Sequence, residues 1–396
     1  MTGKDRIHEL DGLRGIAIGL VLIQHYFVVH TFAPAGSLLS RLQTPFRLAW
    51  TGVDLFFVLS GFLIGGILLD AKESSNYFPV FYRRRFFRII PLYAVCVLFA
   101  FGLSIVAGHQ RFERLRWMSE SRLPWISYVL FLQNFLMAHR NTIGVFALAV
   151  TWSLAVEEQF YLTLPLLVRF LNKRLLLVTL VGGIAAAPIL RVLLYLKWPN
   201  HVYAWYQLMP CRADSLLFGV LAAYALRTET WRTWLTQQRR LFHFFVFPAL
   251  ILGIAILNHK AAGIGAFPML SLGYSWIAVF YVSLLLYALL WRQSWISGVL
   301  RWTWLGALGT IAYGAYLLHE TVLGLFYSAI WSKAPVASSA REFAVTGLAL
   351  ITTLILCQIS WKYFEKPLVK VGHLTDYAFA STSKGMSENP RAADGN

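Results

Sequence analysis

The chain has 396 residues, of which 58% are hydrophobic, 16% aromatic and only 13% charged, too apolar for an ordinary soluble domain and typical of a membrane protein. Lys and Arg outnumber Asp and Glu by 35 to 18, but the basic residues stand in short runs between apolar segments, the pattern of cytoplasmic membrane loops rather than of a nucleic-acid surface. The cysteines, Cys96, Cys211 and Cys357, are too far apart to suggest a disulfide framework or a CxxC site, and no metal is expected.

In chain order, apolar stretches of spanning length fall at 12–32, 49–70, 89–107, 151–171, 174–196, 211–227, 241–257, 267–291, 305–331 and 342–362. They predict an all-α, polytopic integral membrane helix bundle of about ten transmembrane helices over residues 1–372, with a polar, disordered tail over 373–396. The first stretch is long and contains Arg14 and His25, which argues against a cleaved signal peptide. Residues 123–138 hold Pro124, Gln133 and Asn134 and read as a re-entrant or interfacial segment. If the basic loop at 111–122 were cytoplasmic, 123–138 would span instead of 89–107. The basic loops at 82–88, 172–174, 227–240, 291–295 and 361–370 share one side if both termini do, and that side is then cytoplasmic.

A charge at the centre of a membrane helix costs on the order of 2.5–3.5 kcal/mol unless it is paired or faces water, so each buried ionisable group calls for an explanation. In the first span Arg14 and His25 are eleven residues apart, which puts both on one face roughly 16 Å apart along the axis. In "GVDLFFVLSGFLIGG", Asp54 is placed to approach His25 or to cap the helix, while Gly61 and Gly65 have the small-xxx-small spacing of a close helix contact. In "TWSLAVEEQFYL", Ser153, Glu157 and Tyr161 share a face, and Glu157 rather than Glu158 suits a polar cavity. Arg212 and Asp214 form either a local ion pair or an acceptor contact. Tyr316 and His319 share a face, and His319 reads equally as structural or catalytic. In "YRRRFFR", Arg85 and Arg88 lie one turn apart: loop charge by the positive-inside rule, or a clamp whose guanidinium forks hold phosphate.

Taken together, "LDGLRGIAIGLVLIQHY", "GVDLFFVLSGF", Arg85-x-x-Arg88, "WSLAVE", "RADSLLFG" and "YFEKP" resemble, in their order along the chain, the membrane-bound acyltransferase 3 family of bacterial polysaccharide O-acetyltransferases. The chain resembles the stand-alone form of that family, without an appended hydrolase domain, and has Gly314 where Ser or Thr often stands. The resemblance implies an acyl-CoA-dependent O-acyltransferase of a bacterial inner membrane with both termini cytoplasmic, no bound cofactor, acyl-CoA (acetyl-CoA above all) as donor and a carbohydrate or lipid-linked glycan as acceptor. Arg85 and Arg88 would hold the nucleotide phosphates and Arg14 the pantetheine arm. His25 would act as general base or transient acyl carrier, with Glu157 and Asp54 orienting it. A proton-coupled secondary transporter is the rival reading, since intramembrane His, Asp and Glu also build proton relays.

Overall fold

The computed structural model describes residues 7–107, 110–120 and 123–379. It is helical throughout, and its one β-contact among the described residues is an isolated parallel bridge between Thr31 and Ala337. Eight helices are long and apolar enough to cross a membrane. They are α1 (His8–Val29), α2 (Leu38–Ala71), α3 (Tyr77–Val106), α5 (Lys173–Lys197), α6 (Val202–Arg227), α7 (Arg239–Lys260), α8 (Met269–Leu290) and α10 (Ala340–Gly372). The other two expected spans are the 20-residue helices α4 (Thr151–Phe170) and α9 (Ala312–Trp331), which carry Glu157, Glu158 and Gln159, and His319 and Glu320, respectively.

One expectation about the path of the chain is corrected. The 305–331 stretch is not continuous: a helix at Thr303–Thr310 ends before α9 begins. Residues 123–138 do not span; they split into Trp125–Val129 and Gln133–Arg140 around Phe131, whose φ is 55°. Gln133 and Asn134 are buried at this break, where Gln133 donates to the Thr151 carbonyl at 3.0 Å and Asn134 to that of Gln207 at 3.1 Å, while the Tyr128 and Phe131 carbonyls at the break accept from Tyr93 at 2.7 Å and Gln159 at 2.9 Å, protein partners in place of lipid. The last helix ends at Gly372, and the described chain beyond it is irregular. Residues 373–379 turn back over the start of α3, where Arg83 donates to Thr375 at 2.7 Å, Arg84 pairs with Asp376 at 2.9 Å and lies over the Tyr377 ring. Residues 380–396 of the expected tail lie outside the described residues.

Burial sorts the helices by depth. In α2, 78% of the spanning window is buried, against 17% in α7 and 22% in α5 and in α10, so α2 is the central post and the other three form the rim. Its apolar residues run around the whole circumference, as a helix surrounded by protein requires. Gly61 explains why α2 packs so closely on α6: a Cβ there would meet the Leu216 carbonyl oxygen at 1.9 Å. That close approach places Asp54 of α2 against the polar turn of α6.

Candidate functional site

Two cavities lie one above the other along the bundle. The first is lined by Arg14 of α1, Arg85 and Arg88 of α3, Ser60 of α2, Ser153, Glu157 and Tyr161 of α4, and Tyr313 and Tyr316 of α9. The second is lined by Gln24 and His25 of α1, Arg47 and Trp50 of α2, Val150, Trp152, Tyr206 of α6 and Tyr316. Three helices give the same order: the first cavity meets α1 at Arg14, α4 from Ser153 to Tyr161 and α9 from Ala312, and the second meets them at His25, Trp152 and Tyr316. Val53 and Tyr316 line both. The dividing wall is hydrogen-bonded: Tyr316 donates to the Val150 carbonyl at 2.8 Å, and its hydroxyl and that of Ser153 lie 2.5 Å apart.

The expected face of α4 therefore exists, but it does not serve His25. Glu157 accepts from Tyr161 at 3.1 Å, and the Tyr161 hydroxyl lies 2.5 Å from that of Ser60, all within the arginine cavity. Asp54 is likewise elsewhere. It is fully buried and pairs with Arg212 at 2.6 Å, with Ser215 donating to the same oxygen at 3.1 Å. Arg212 and Asp214 do not pair with each other: Asp214 pairs at 2.9 Å with Arg191, a fully buried side chain on α5 that also donates to the Cys211 and Leu270 carbonyls. Removing one partner of such a pair strands a buried charge, so these four residues tie α2, α5 and α6 together.

The groups that do surround His25 come from α9 and from the end of α1. Over Gln24–Val29 the helix widens into a π-turn, a local feature frequent at functional sites, and the His30 amide donates to the His25 carbonyl at 3.1 Å. His319 Nε2 lies 3.2 Å from His25 Nδ1, Glu320 Oε1 lies 3.4 Å from His25 Nε2, and His30 Nε2 lies 3.1 Å from Glu320 Oε2. Backbone carbonyls only accept, and this assigns the protons. His319 Nδ1 faces the Ala315 and Tyr316 carbonyls at 3.0 and 2.9 Å, so it carries hydrogen, and in the neutral ring Nε2 is bare. His25 Nδ1 then carries hydrogen toward His319 and toward the Val21 carbonyl at 3.0 Å. His25 Nε2 then faces the Glu320 carboxylate. A proton taken up at Nε2 meets a counter-charge already in place. His30, which donates from Nδ1 to the Pro335 carbonyl at 3.2 Å, uses its second N–H to hold Glu320.

Sequence reasoning missed Glu320 and His30 as partners of His25. Glu320 stood in plain view beside His319, while His30 is off the His25 face in a regular α-helix and returns to it only through the wide turn. Ring nitrogens of His25 and His319 and an oxygen of Glu320 lie within 4.8 Å of one another, a donor set that zinc would accept. His25 Nδ1 and His319 Nε2 already face each other, and Glu320 already holds His30.

The model of the acyltransferase domain family matches residues 7–362. The chain belongs to the acyltransferase 3 family. The acyltransferase 3 relatives it resembles include a peptidoglycan O-acetyltransferase, OatA, of Listeria monocytogenes, 25% identical over 93% of this chain and 56% of the relative. A putative peptidoglycan O-acetyltransferase, YrhL, of Bacillus subtilis is 26% identical over 91% of this chain and 55% of the relative, and the O-acetyltransferase OatA of Staphylococcus aureus is 24% identical over 95% and 59%. The chain spans somewhat over half the length of these acyltransferase 3 relatives. No solved structure matches.

Proposed function

We propose that the protein is an integral membrane O-acyltransferase that moves an acyl group, acetyl by family resemblance, from cytoplasmic acyl-CoA to a hydroxyl of a cell-envelope glycan, the class of acceptor named for its relatives. One observation carries the reading: an arginine-lined cavity and a histidine-lined cavity meet end to end at Tyr316. Arg85 and Arg88 at the far end suit the nucleotide phosphates of the donor, and Arg14, held by Asp11 at 3.0 Å, suits the pantetheine arm. The first cavity encloses about 900 Å³, counting its open mouth, within the range of pockets that bury small-molecule ligands.

In the step itself, His25 Nε2 takes the proton of the acceptor hydroxyl as the oxygen attacks the thioester carbonyl. The carbon–sulfur bond breaks, and the departing CoA thiolate receives that proton, leaving an ester and free CoA. Glu320 is a positioning residue that balances the imidazolium in between. On this reading the arginine end, both termini and the basic loops face the cytoplasm of a bacterial inner membrane, whose lipids contact the rim helices. The proton-coupled transporter gains no support from the family match.

The test is release of free CoA from radiolabelled acetyl-CoA by the purified protein in nanodiscs. His25→Ala is expected to abolish it, and Arg85→Ala combined with Arg88→Ala to raise the KM for acetyl-CoA by at least tenfold. Full activity in the double-arginine variant would remove the phosphate-clamp role, and release independent of His25 would remove the mechanism.

A further inference from the structure

The basic loops at 227–240 and 291–295 take no part in the acyl-transfer step, yet the fold brings their ends together. A third cavity, about 750 Å³ with its open mouth, lies between the start of α7 and the end of α8, and its lining includes Arg239, Arg240, His243, Phe244, Tyr287 and Trp295. Beneath it is buried aromatic packing: the Phe247 and Tyr287 rings meet edge-on at 5.0 Å, and the Phe242 ring is centred 5.5 Å from that of Trp291. Trp291 in turn donates from its indole N–H to the Thr236 carbonyl at 3.3 Å, so the cavity is built on a packed floor rather than on loose loop. Its cations are exposed and lack a counter-charge. Nearby, Arg227 pairs with Asp70 and Arg232 with Glu229, each at 2.6 Å, whereas no acidic residue lines this cavity and, among the described residues, neither Arg239 nor Arg240 has a carboxylate partner. Polarity is ordered along the helix. Arg239 and Arg240 open α7, His243 follows one turn on, and Phe244 and Phe245 then stand exposed on a rim helix.

We infer that this cavity holds the headgroup of an anionic phospholipid, with its phosphate at Arg239 and Arg240 and its acyl chains along the outer face of α7 past Phe244 and Phe245. Guanidinium forks take phosphate oxygens bidentately, and a basic cleft between two helices at the membrane boundary is the setting in which lipid headgroups are recognised. The order of chemistry along α7, cation, then imidazole, then apolar ring, repeats the order within the lipid from phosphate through glycerol esters to hydrocarbon. Trp295, exposed at the same mouth, suits the ester level, where tryptophans of membrane proteins gather. A free phosphate would answer to the arginines alone. Loop charge by itself would place cations at the start of any rim helix, and α5 has Lys173 and Arg174 there, both exposed; that pair is the control.

The test is native mass spectrometry of the delipidated protein, titrated in detergent with palmitoyl-oleoyl phosphatidylglycerol and, in parallel, with the phosphatidylcholine of the same chains. Wild type is expected to retain one phosphatidylglycerol about tenfold more tightly than phosphatidylcholine. Arg239→Gln combined with Arg240→Gln should weaken phosphatidylglycerol binding about thirtyfold and leave phosphatidylcholine unaffected. Arg239→Lys combined with Arg240→Lys, which keeps the charge and loses the forks, should weaken it about threefold and serves as the second variant if the glutamine pair does not fold. Lys173→Gln combined with Arg174→Gln should change nothing. Inorganic phosphate at millimolar concentration should not displace the lipid. No preference for phosphatidylglycerol in wild type, no loss in the glutamine pair, an equal loss from the α5 pair, or displacement by phosphate overturns the lipid site.

Discussion

His25 works through what it touches. Glu320→Gln keeps the shape of the side chain but removes the charge that meets a proton on Nε2 at 3.4 Å. It is therefore expected to lower kcat for acyl transfer about a hundredfold with little change in the KM for acetyl-CoA. Glu320→Asp should recover part of the loss, and pH profiles of kcat for the three proteins check the assignment: if the loss came from structural damage alone, the profile would keep its shape. Much at this scale was legible beforehand. The eleven-residue interval that puts Arg14 and His25 on one face, and the four-residue intervals that put Ser153, Glu157 and Tyr161 on another, are properties of a single helix. Partners across helices were not legible, because nothing local in the chain tells Asp54 that its counter-ion is Arg212 rather than His25, or gives Arg191 of α5 to Asp214.

At the scale of elements, apolar length read most of the bundle correctly, since a lipid-spanning helix must satisfy its own backbone whatever its neighbours do. The exceptions are places where protein replaces lipid: the break at Ile311, the split at Phe131 with its buried amides, and the wide turn after Ile23. Small-residue spacing also carried true information. Gly61 sits where α2 and α6 touch through backbone, so Gly61→Leu must push the helices apart or fail to pack, with an expected cost of about 1–3 kcal/mol or more. A lowered Tm in detergent measures it. Gly102, which has nothing within 4 Å of an added Cβ, is the control: Gly102→Ala should leave the Tm unchanged or raise it slightly.

For the whole molecule, the decisive feature is a wall between two cavities rather than one open channel. A continuous channel would leave the thioester open to water from the histidine side at all times, whereas the Tyr316–Ser153–Val150 bonds divide the two spaces, so that on the proposed mechanism the wall gives way at Tyr316 only when the thioester meets the acceptor at His25. Tyr316→Ala removes the one side chain that is both bonded in the wall and shared by the cavities. It is expected to raise CoA release without acceptor several-fold while lowering transfer to glycan. Both products are measured in the same reaction; an unchanged ratio of hydrolysis to transfer would show that the wall does not keep water out. This arrangement was beyond sequence reading because each cavity is assembled from at least four helices far apart in the chain.

The three cysteines lend themselves to a different use. Cys96 is 6% exposed and Cys211 and Cys357 are fully buried, all as free thiols, and thiols in apolar surroundings react poorly. The native chain should thus be nearly silent toward a membrane-impermeant maleimide, with no need for a cysteine-less background. Phe32, past the histidine end of α1, and Leu374, in the segment folded over the start of α3, are 59% and 74% exposed. A single cysteine at either site becomes a beacon for sidedness: in intact cells the reagent should mark Phe32→Cys at once and Leu374→Cys only after lysis, and the reverse order would turn the whole protein over in its membrane.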